Sequence, residues 1–371
     1  MSELLADHTT LRLGGPADRL LTHTDPAHWI DLARGLHTPP FILGGGSNTL
    51  ADDAGHPGTA VRMATRGITF RRYGNTIVEV TVQAGEPLAD LVAHCVHEGL
   101  SGIEYLGGIP GTTGAAPVQN TGAYGQQISD TLAHFTVYDW QQRTITELPP
   151  EQCAFGYRTS TFKARPGRWT ILQLTLHLTR AQRAAPVTNP HLADALGTRP
   201  GARPPLGEAA ASVLADRCRR GLSLPDTGPD ARQAGSVFLN PPLTHAQAHL
   251  VRTAGGPVYC DDFGTLRTST GWLLQLTGHH PGRQITPGVR CSTRRTLTLT
   301  AHQGATSSAF TAALQTLARQ VREATTIHLH PEPVRPPVMC TVNDAPKRGG
   351  YGRTTRHRAS AVADWRPMRH R

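Results

Sequence analysis

Lysine is almost missing from this sequence: Lys163 and Lys347 are the two lysines among 37 basic side chains, and the rest are arginine. Aromatic residues make up 5% and methionine numbers four, so the core must be built mainly from aliphatic side chains and alanine. No apolar run approaches the roughly 20 residues that span a bilayer. MSELLADHTTLRLGG has no basic stretch leading into an apolar one, so no signal peptide is read and a cytoplasmic location is expected. The six cysteines are scattered without a CxxC, and nineteen histidines include no HExxH. Reduced, mostly buried thiols and no metal site are the expectation. Neither GxxxxGK[ST] nor GxGxxG occurs, which removes a triphosphate P-loop and a Rossmann dinucleotide site.

The net charge of +10 invites a nucleic-acid reading, but its distribution argues against one. From Val342 onward eight basic residues stand against Asp344 and Asp364, which leaves only +4 for the preceding body. This stretch (341–371) is glycine-punctuated and lacks apolar periodicity, so it reads as a solvated, unstructured tail. Nucleic acid is not an expected partner, and neither is a membrane; a monomer is expected.

A chain of 371 residues is long enough for two or three domains. FILGGGSNTLADD (41–53) reads as a short strand entering a glycine turn. TIVEVTVQAGEPL (76–88) alternates with period two, a strand stopped by Gly-Glu-Pro. LADLVAHCVHEGL (88–100) places Leu88, Leu91, Val92, Cys95 and Val96 on one stripe, an amphipathic helix. HFTVYDW and RTITELP predict a hairpin, and FGYRTSTFK (155–163) and WTILQLTLHLT (169–179) continue the strand pattern. The Pro- and Arg-rich segment 181–207 reads as a domain boundary. Beyond it, helices are predicted at 208–220, 271–278 and 308–325, with a final strand over 325–334.

Residues 107–125, GGIPGTTGAAPVQNTGAYG, hold six glycines and two prolines, which excludes a long helix or a regular central strand. Bare backbone of this kind, here and in GGGSN, suits close approach to a flat ring and to phosphate oxygens. Together with AGEPL, FGYRTSTFK, AGSVFLNP and HPEPV, in that order, these runs resemble the UDP-N-acetylenolpyruvoylglucosamine reductase (MurB) family. The resemblance extends from TTLRLGGPA (9–17) to HPEPV (330–334).

It implies an α+β protein: an FAD-binding module of the vanillyl-alcohol-oxidase (PCMH) type plus a smaller α+β substrate-binding domain. The corresponding division is 1–66 with a completing strand at 326–340, then 67–200, and then 205–325 over the substrate. FAD is implied as the cofactor and NADPH as the hydride donor. Non-covalent attachment is expected, since the glycine stretch holds no His or Cys. By resemblance Gly44, Gly45, Gly46, Ser47 and Asn48 cradle the FAD diphosphate, while Gly111, Thr112, Gly114, Ala115, Gln119, Asn120 and Gly122 line the flavin. Arg158 would grip a substrate carboxylate, Glu332 would assist the developing enolate, and Ser236 would protonate the carbon. Tyr157 and Asn240 would touch the substrate, a sugar nucleotide.

The departures from the family pattern lie on the substrate side. Asn189 falls where a diphosphate-contacting Tyr is usual, and Leu222 or Ser223 where a Lys is usual. AGSVF has Val237 for an aromatic residue, Gln127 replaces a glutamate, and STRRTLTLT (292–300) often reads STKHTLALT. A relative acting on a different enol or alkene is therefore the alternative to the cell-wall precursor.

Overall fold

The computed structural model describes residues 3–336, so the basic tail lies outside the described residues. The chain forms three lobes around one cleft. In the first lobe, β1 (Ala17–His23), α1 (Trp29–Arg34), β2 (Phe41–Leu43) and β3 (His56–Met63) make a parallel sheet in the order β1-β3-β2.

The second lobe runs through β4 (Ile68–Arg72), β5 (Ile77–Gln83), α2 (Leu88–His97), β6 (Leu100–Ser101), β7 (Gly122–Ala123) and β8 (Gln126–Gln127). It continues with β9 (Leu132–Asp139), β10 (Thr144–Leu148), α3 (Thr161–Ala164), β11 (Trp169–Arg180), α4 (Pro190–Ala195) and α5 (Leu206–Arg219). Its main sheet has the order β10-β9-β11-β5-β4, with β6 also paired to β11. In β5 the valines 78, 80 and 82 alternate inward, as period two requires. On α2, Leu88, Leu91, Val92 and Cys95 are buried at helical spacing against that sheet. Full burial of a leucine is worth about 2 kcal/mol, so this stripe, more than helix propensity, holds α2 in place.

The third lobe comprises β12 (Gln233–Ala234), α6 (His245–Thr253), β13 (Val258–Cys260), β14 (Leu266–Thr268), α7 (Thr270–Leu276), β15 (Gln284–Thr286), β16 (Val289–Cys291), β17 (Leu299–Ala301) and α8 (Ser307–Thr325). Strands β12-β17-β16-β15 form its sheet, and Phe310, Ala313, Leu314, Leu317 and Val321 of α8 join its core. Leu11, Leu13 and Leu50 of the first lobe enter the same core. Asp53 adds a polar tie, accepting from the Ser307 and Ser308 amides at 2.7 and 3.0 Å. A carboxylate there satisfies orphan donors and meets the positive end of the helix. No helix among the described residues is long and apolar enough to cross a membrane.

Three expectations are corrected. FGYRTSTFK is not a strand: it turns through a Gly156–Thr159 bridge, with Arg158 at φ 53°, and ends in the short α3. The segment 325–334 is not a regular strand either, but pairs only through isolated bridges of Pro331 to Phe238 and of Val334 to Thr49. Helix α5 does not open the third lobe. Its Leu206, Ala209 and Val213 are buried with Tyr105, Tyr124, Val187 and Leu192 of the second lobe, so by packing the boundary falls after it.

Candidate active site

The two glycine runs meet. A Cβ built on Gly45 would lie 2.9 Å from Gly111 Cα, and one on Gly44 would lie 2.6 Å from Thr112 Oγ1. Gly46 has φ +65°, and a Cβ there would stand 2.0 Å from the His8 carbonyl oxygen. Gly114 is confined in the same way by Ala84, at 2.6 Å. The immediate reason for these four glycines is thus chain against chain. Gly44 and Gly45 let the turn after β2 lie on the stretch 111–115, while Gly46 seats that turn on His8 and Gly114 seats the stretch on Ala84, and together they make one smooth wall.

That wall borders a cleft of ≈ 660 Å³ to which all three lobes contribute. Ser47, Asn48, Gly111, Thr112, Ala115, Gln119 and Gly122 line it. Thr112 Oγ1 and Gln119 Oε1 are buried there without a hydrogen-bond partner in the chain. An orphaned buried polar atom costs about 1–3 kcal/mol, so this wall is built for a bound group that supplies donors and acceptors. Smooth backbone with two unpaired polar atoms fits FAD. Asn120 behaves differently from the expectation. It is fully buried, its amide donates to Gln127 Oε1 at 3.0 Å, and its Oδ1 accepts from the Ser129 amide at 3.3 Å. Its polar atoms therefore brace the loop.

Arg158, Ser236 and Glu332 all line the same cleft. Arg158 is anchored by the glycine stretch: Nη1 donates to the Asn120 carbonyl at 3.1 Å and Nη2 to that of Gly122 at 2.6 Å. Its Nε lies 3.8 Å from Glu332 Oε1. A guanidinium has five donors, so those contacts leave hydrogens for an anion in the cleft. Lys163 Nζ donates to the Arg158 carbonyl at 3.0 Å, which holds the turn from behind.

Glu332 is carried by a strap that sews the first lobe to the third. Its amide donates to the Val237 carbonyl at 2.9 Å, and its carbonyl accepts from Asn48 Nδ2 at 3.1 Å. Asn48 thus places Glu332 beside residues 236–237 through its side-chain amide, a role that sequence reasoning did not assign to it. Burial raises the Glu332 carboxyl to about 7, against the opposing pull of Arg158, Lys163 and Arg295. Near neutral pH a large fraction of it is therefore a neutral hydrogen-bond donor. Arg158 and Ser236 have φ of 53° and 56°, a left-handed backbone that L-residues seldom adopt. Such strain persists where surrounding structure over-determines it, as at a working site.

On the far side, Tyr157 stacks beneath Arg267, whose guanidinium carbon sits 3.9 Å from the ring centroid. Asn240 donates to the Tyr259 hydroxyl at 2.5 Å and accepts from the Thr270 amide at 3.0 Å, which pins the β13–β14 hairpin over the cleft. Asn189 is spent on capping α4, its Oδ1 accepting from the Leu192 amide at 3.0 Å. Sequence reasoning passed over Arg217 and Arg295, which also line the cleft. Arginine in a single sequence reads as a surface cation, and nothing in DRCRR or STRRT marks these two as inward.

A smooth backbone cradle beside an acid, an arginine and a hydroxyl fits an FAD-dependent oxidoreductase. Family profiles agree: one described as FAD binding domain matches residues 22–147, and the UDP-N-acetylenolpyruvoylglucosamine reductase C-terminal domain matches residues 228–335. The chain is 39% identical to the UDP-N-acetylenolpyruvoylglucosamine reductase of Salinispora arenicola, covering 89% of this chain and 93% of the relative. With that of Streptomyces avermitilis identity is 40%, at the same coverage. The crystal structure of the Thermus caldophilus reductase (MurB) superposes with a TM-score of 0.61 at 26% identity, covering 90% of this chain and 98% of that one. The chain belongs to the UDP-N-acetylenolpyruvoylglucosamine reductase family. The expected α+β fold, with an FAD-binding module and a second, C-terminal domain, holds.

Proposed function

We propose that this flavoenzyme reduces the enolpyruvyl group of UDP-N-acetylglucosamine enolpyruvate to the lactyl ether of UDP-N-acetylmuramate, with NADPH as the source of reducing equivalents. The observation that carries the reading is the convergence of Arg158, Ser236 and Glu332 on one cleft, with the Glu332 carboxyl raised to about 7. The wall of Ser47, Asn48, Gly111, Thr112 and Ala115 would hold FAD, which would supply the hydride for the alkene.

The chain supplies the rest. Arg158 holds the substrate carboxylate through the N–H groups its loop contacts leave free. Protonated Glu332 donates to the carboxylate oxygen on which negative charge grows, which is worth most in a partly desolvated cleft. Ser236 gives its hydroxyl proton to the carbon that bore the enol ether, and water restores that proton. A hydroxyl is a weak acid, but the carbanionic carbon is a strong base, so positioned transfer contributes about 10²- to 10⁴-fold.

A second reading, a related enol or alkene as substrate, is favoured by one observation: Asn189 caps α4 where relatives are expected to present a tyrosine. Rapid mixing separates the two. NADPH should bleach the flavin, and UDP-N-acetylglucosamine enolpyruvate should then reoxidise it within the turnover time. Reduced flavin that persists in the presence of this compound refutes the cell-wall reading. Ser236→Ala should leave the NADPH half-reaction intact and abolish the second; loss of both would refute the assignment of Ser236.

A further inference from the structure

In a chain that uses arginine for nearly every basic side chain, Lys163 stands apart: it is one of two lysines and the one among the described residues. It is half-buried on α3, and that short helix is fixed on two sides. Phe162 packs edge-on against Phe135 and Trp169, with ring centroids 5.1 and 6.1 Å away. Ser160 caps α3 by accepting from the Lys163 amide at 3.4 Å, and its hydroxyl donates to the Val118 carbonyl at 2.6 Å. The helix is thereby tied both to the core of the second lobe and to the glycine stretch.

From this base Nζ reaches back to the Arg158 carbonyl at 3.0 Å. The amides and carbonyls of Gly156 and Thr159 close the turn on each other at 3.2 and 3.3 Å, which leaves the Arg158 carbonyl at its apex for the ammonium. The left-handed backbone of Arg158 costs about 1–3 kcal/mol unless its surroundings hold it. An ammonium suits that place as a compact point charge with three donors, whereas a guanidinium would bring a planar fork of five to a single carbonyl. Burial weakens the hold of Lys163 on its proton, Glu332 opposes this, and Arg158 adds to it. The carbonyl and the Glu332 carboxylate both favour the charged form. A positive charge therefore stands behind Arg158 and Glu332, whose Nε and Oε1 meet at 3.8 Å.

We propose that Lys163 is a positioning residue of the reaction: its ammonium locks the left-handed turn that aims the Arg158 guanidinium into the cleft, and it supplies a fixed positive charge near Glu332. The inference rests on the proposed reading in taking Arg158 and Glu332 as the groups that act on the substrate. The charges facing the Glu332 carboxyl are Arg158, Lys163 and Arg295, and each favours its ionised form. Removing one of them keeps the proton bound to higher pH.

The test compares flavin-loaded Lys163→Met and Lys163→Arg with wild type by rapid mixing, one half-reaction at a time and across pH. Lys163→Met should slow oxidation of the reduced flavin by UDP-N-acetylglucosamine enolpyruvate about 10- to 100-fold, because a displaced guanidinium no longer meets the carboxylate. Its alkaline fall in rate should begin at higher pH than in wild type, while bleaching by NADPH changes much less. Lys163→Arg keeps the charge but cannot place it as a point on that carbonyl, so it should lose rate with its alkaline fall where wild type has it. A second readout needs no substrate. The gap in thermal midpoint between the Glu332 and Glu332→Gln forms should go on widening to higher pH in the Lys163→Met background than in wild type. Bound flavin and the midpoint at pH 5 check folding; if Lys163→Met fails them, Lys163→Arg carries the test. Wild-type rates in folded variants, a loss shared equally by both half-reactions, or a gap that Lys163→Met leaves unmoved would each overturn the proposal. If wild type itself stays reduced in the presence of this compound, the proposed function fails, and the midpoint gap still decides Lys163.

Discussion

Replacing Glu332 by glutamine should stabilise the protein at alkaline pH and leave it nearly unchanged in acid. Folding raises this carboxyl from an ordinary 4.5 to about 7, because burial outweighs Arg158, Lys163 and Arg295. The native state therefore holds the proton more tightly than the unfolded chain does. That contribution is complete below pH 4.5, declines as pH rises, and is gone above about 7. At about 1.4 kcal/mol per tenfold change in protonation equilibrium, the loss amounts to about 3 kcal/mol. The side chain is only 12% exposed, so solvent screening removes little of it. Glutamine keeps the neutral shape and the donor and cannot ionise. Thermal midpoints of the flavin-loaded proteins should lie close together at pH 5 and separate by several degrees at pH 8.5, with the variant higher. Parallel profiles for the two proteins across that range would refute the burial argument. The same change should remove the fall in substrate reduction above pH 7, while the NADPH half-reaction stays as in wild type.

Asp53→Ala should cost about 1–2 kcal/mol by uncapping α8 and loosening the first lobe from the third, read as a lower urea midpoint. Burial pushes the Asp53 carboxyl up, but the Ser307 and Ser308 donors overcome it and hold it below 3.8, so the deficit should be full at pH 7 and vanish as pH falls through the native value. Gly45→Ala drives a methyl to 2.9 Å from Gly111 Cα, so the purified protein should lose bound flavin or fail to fold; full flavin content in a stable variant would contradict the closed wall. Thr112→Val removes an orphaned hydroxyl, so flavin affinity should fall about tenfold while the flavin-free protein is no less stable.

What the sequence makes legible, and what it hides, follows from which physical signals are local. The β5 alternation and the stripes of α2 and α8 are visible because burial on one face imposes a period. FGYRTSTFK imitates a period of two, yet side-chain type does not encode the left-handed φ of Arg158, which the loop contacts at Asn120 and Gly122 enforce. Helix α5 is separated from the second lobe in sequence by a proline-rich segment, whereas its partners Tyr105 and Tyr124 lie just before and within the glycine stretch, about a hundred residues earlier. Glycine in both runs is legible as a need for bare backbone but not as a need of each run for the other. The 2.9 Å approach of Gly45 to Gly111 supplies that reason, and it explains why neither run is interpretable alone. Arg217 and Arg295 are the converse. Their type is written plainly, but their burial depends on α5 and the turn before β17 facing one cleft, a tertiary fact with no period to announce it. The wall that carries Arg158, Ser236 and Glu332 is thus the part that motif and order reveal. The opposite wall, with Arg217 Nε and Arg295 Nη1 buried and unpartnered, has to be read from tertiary structure.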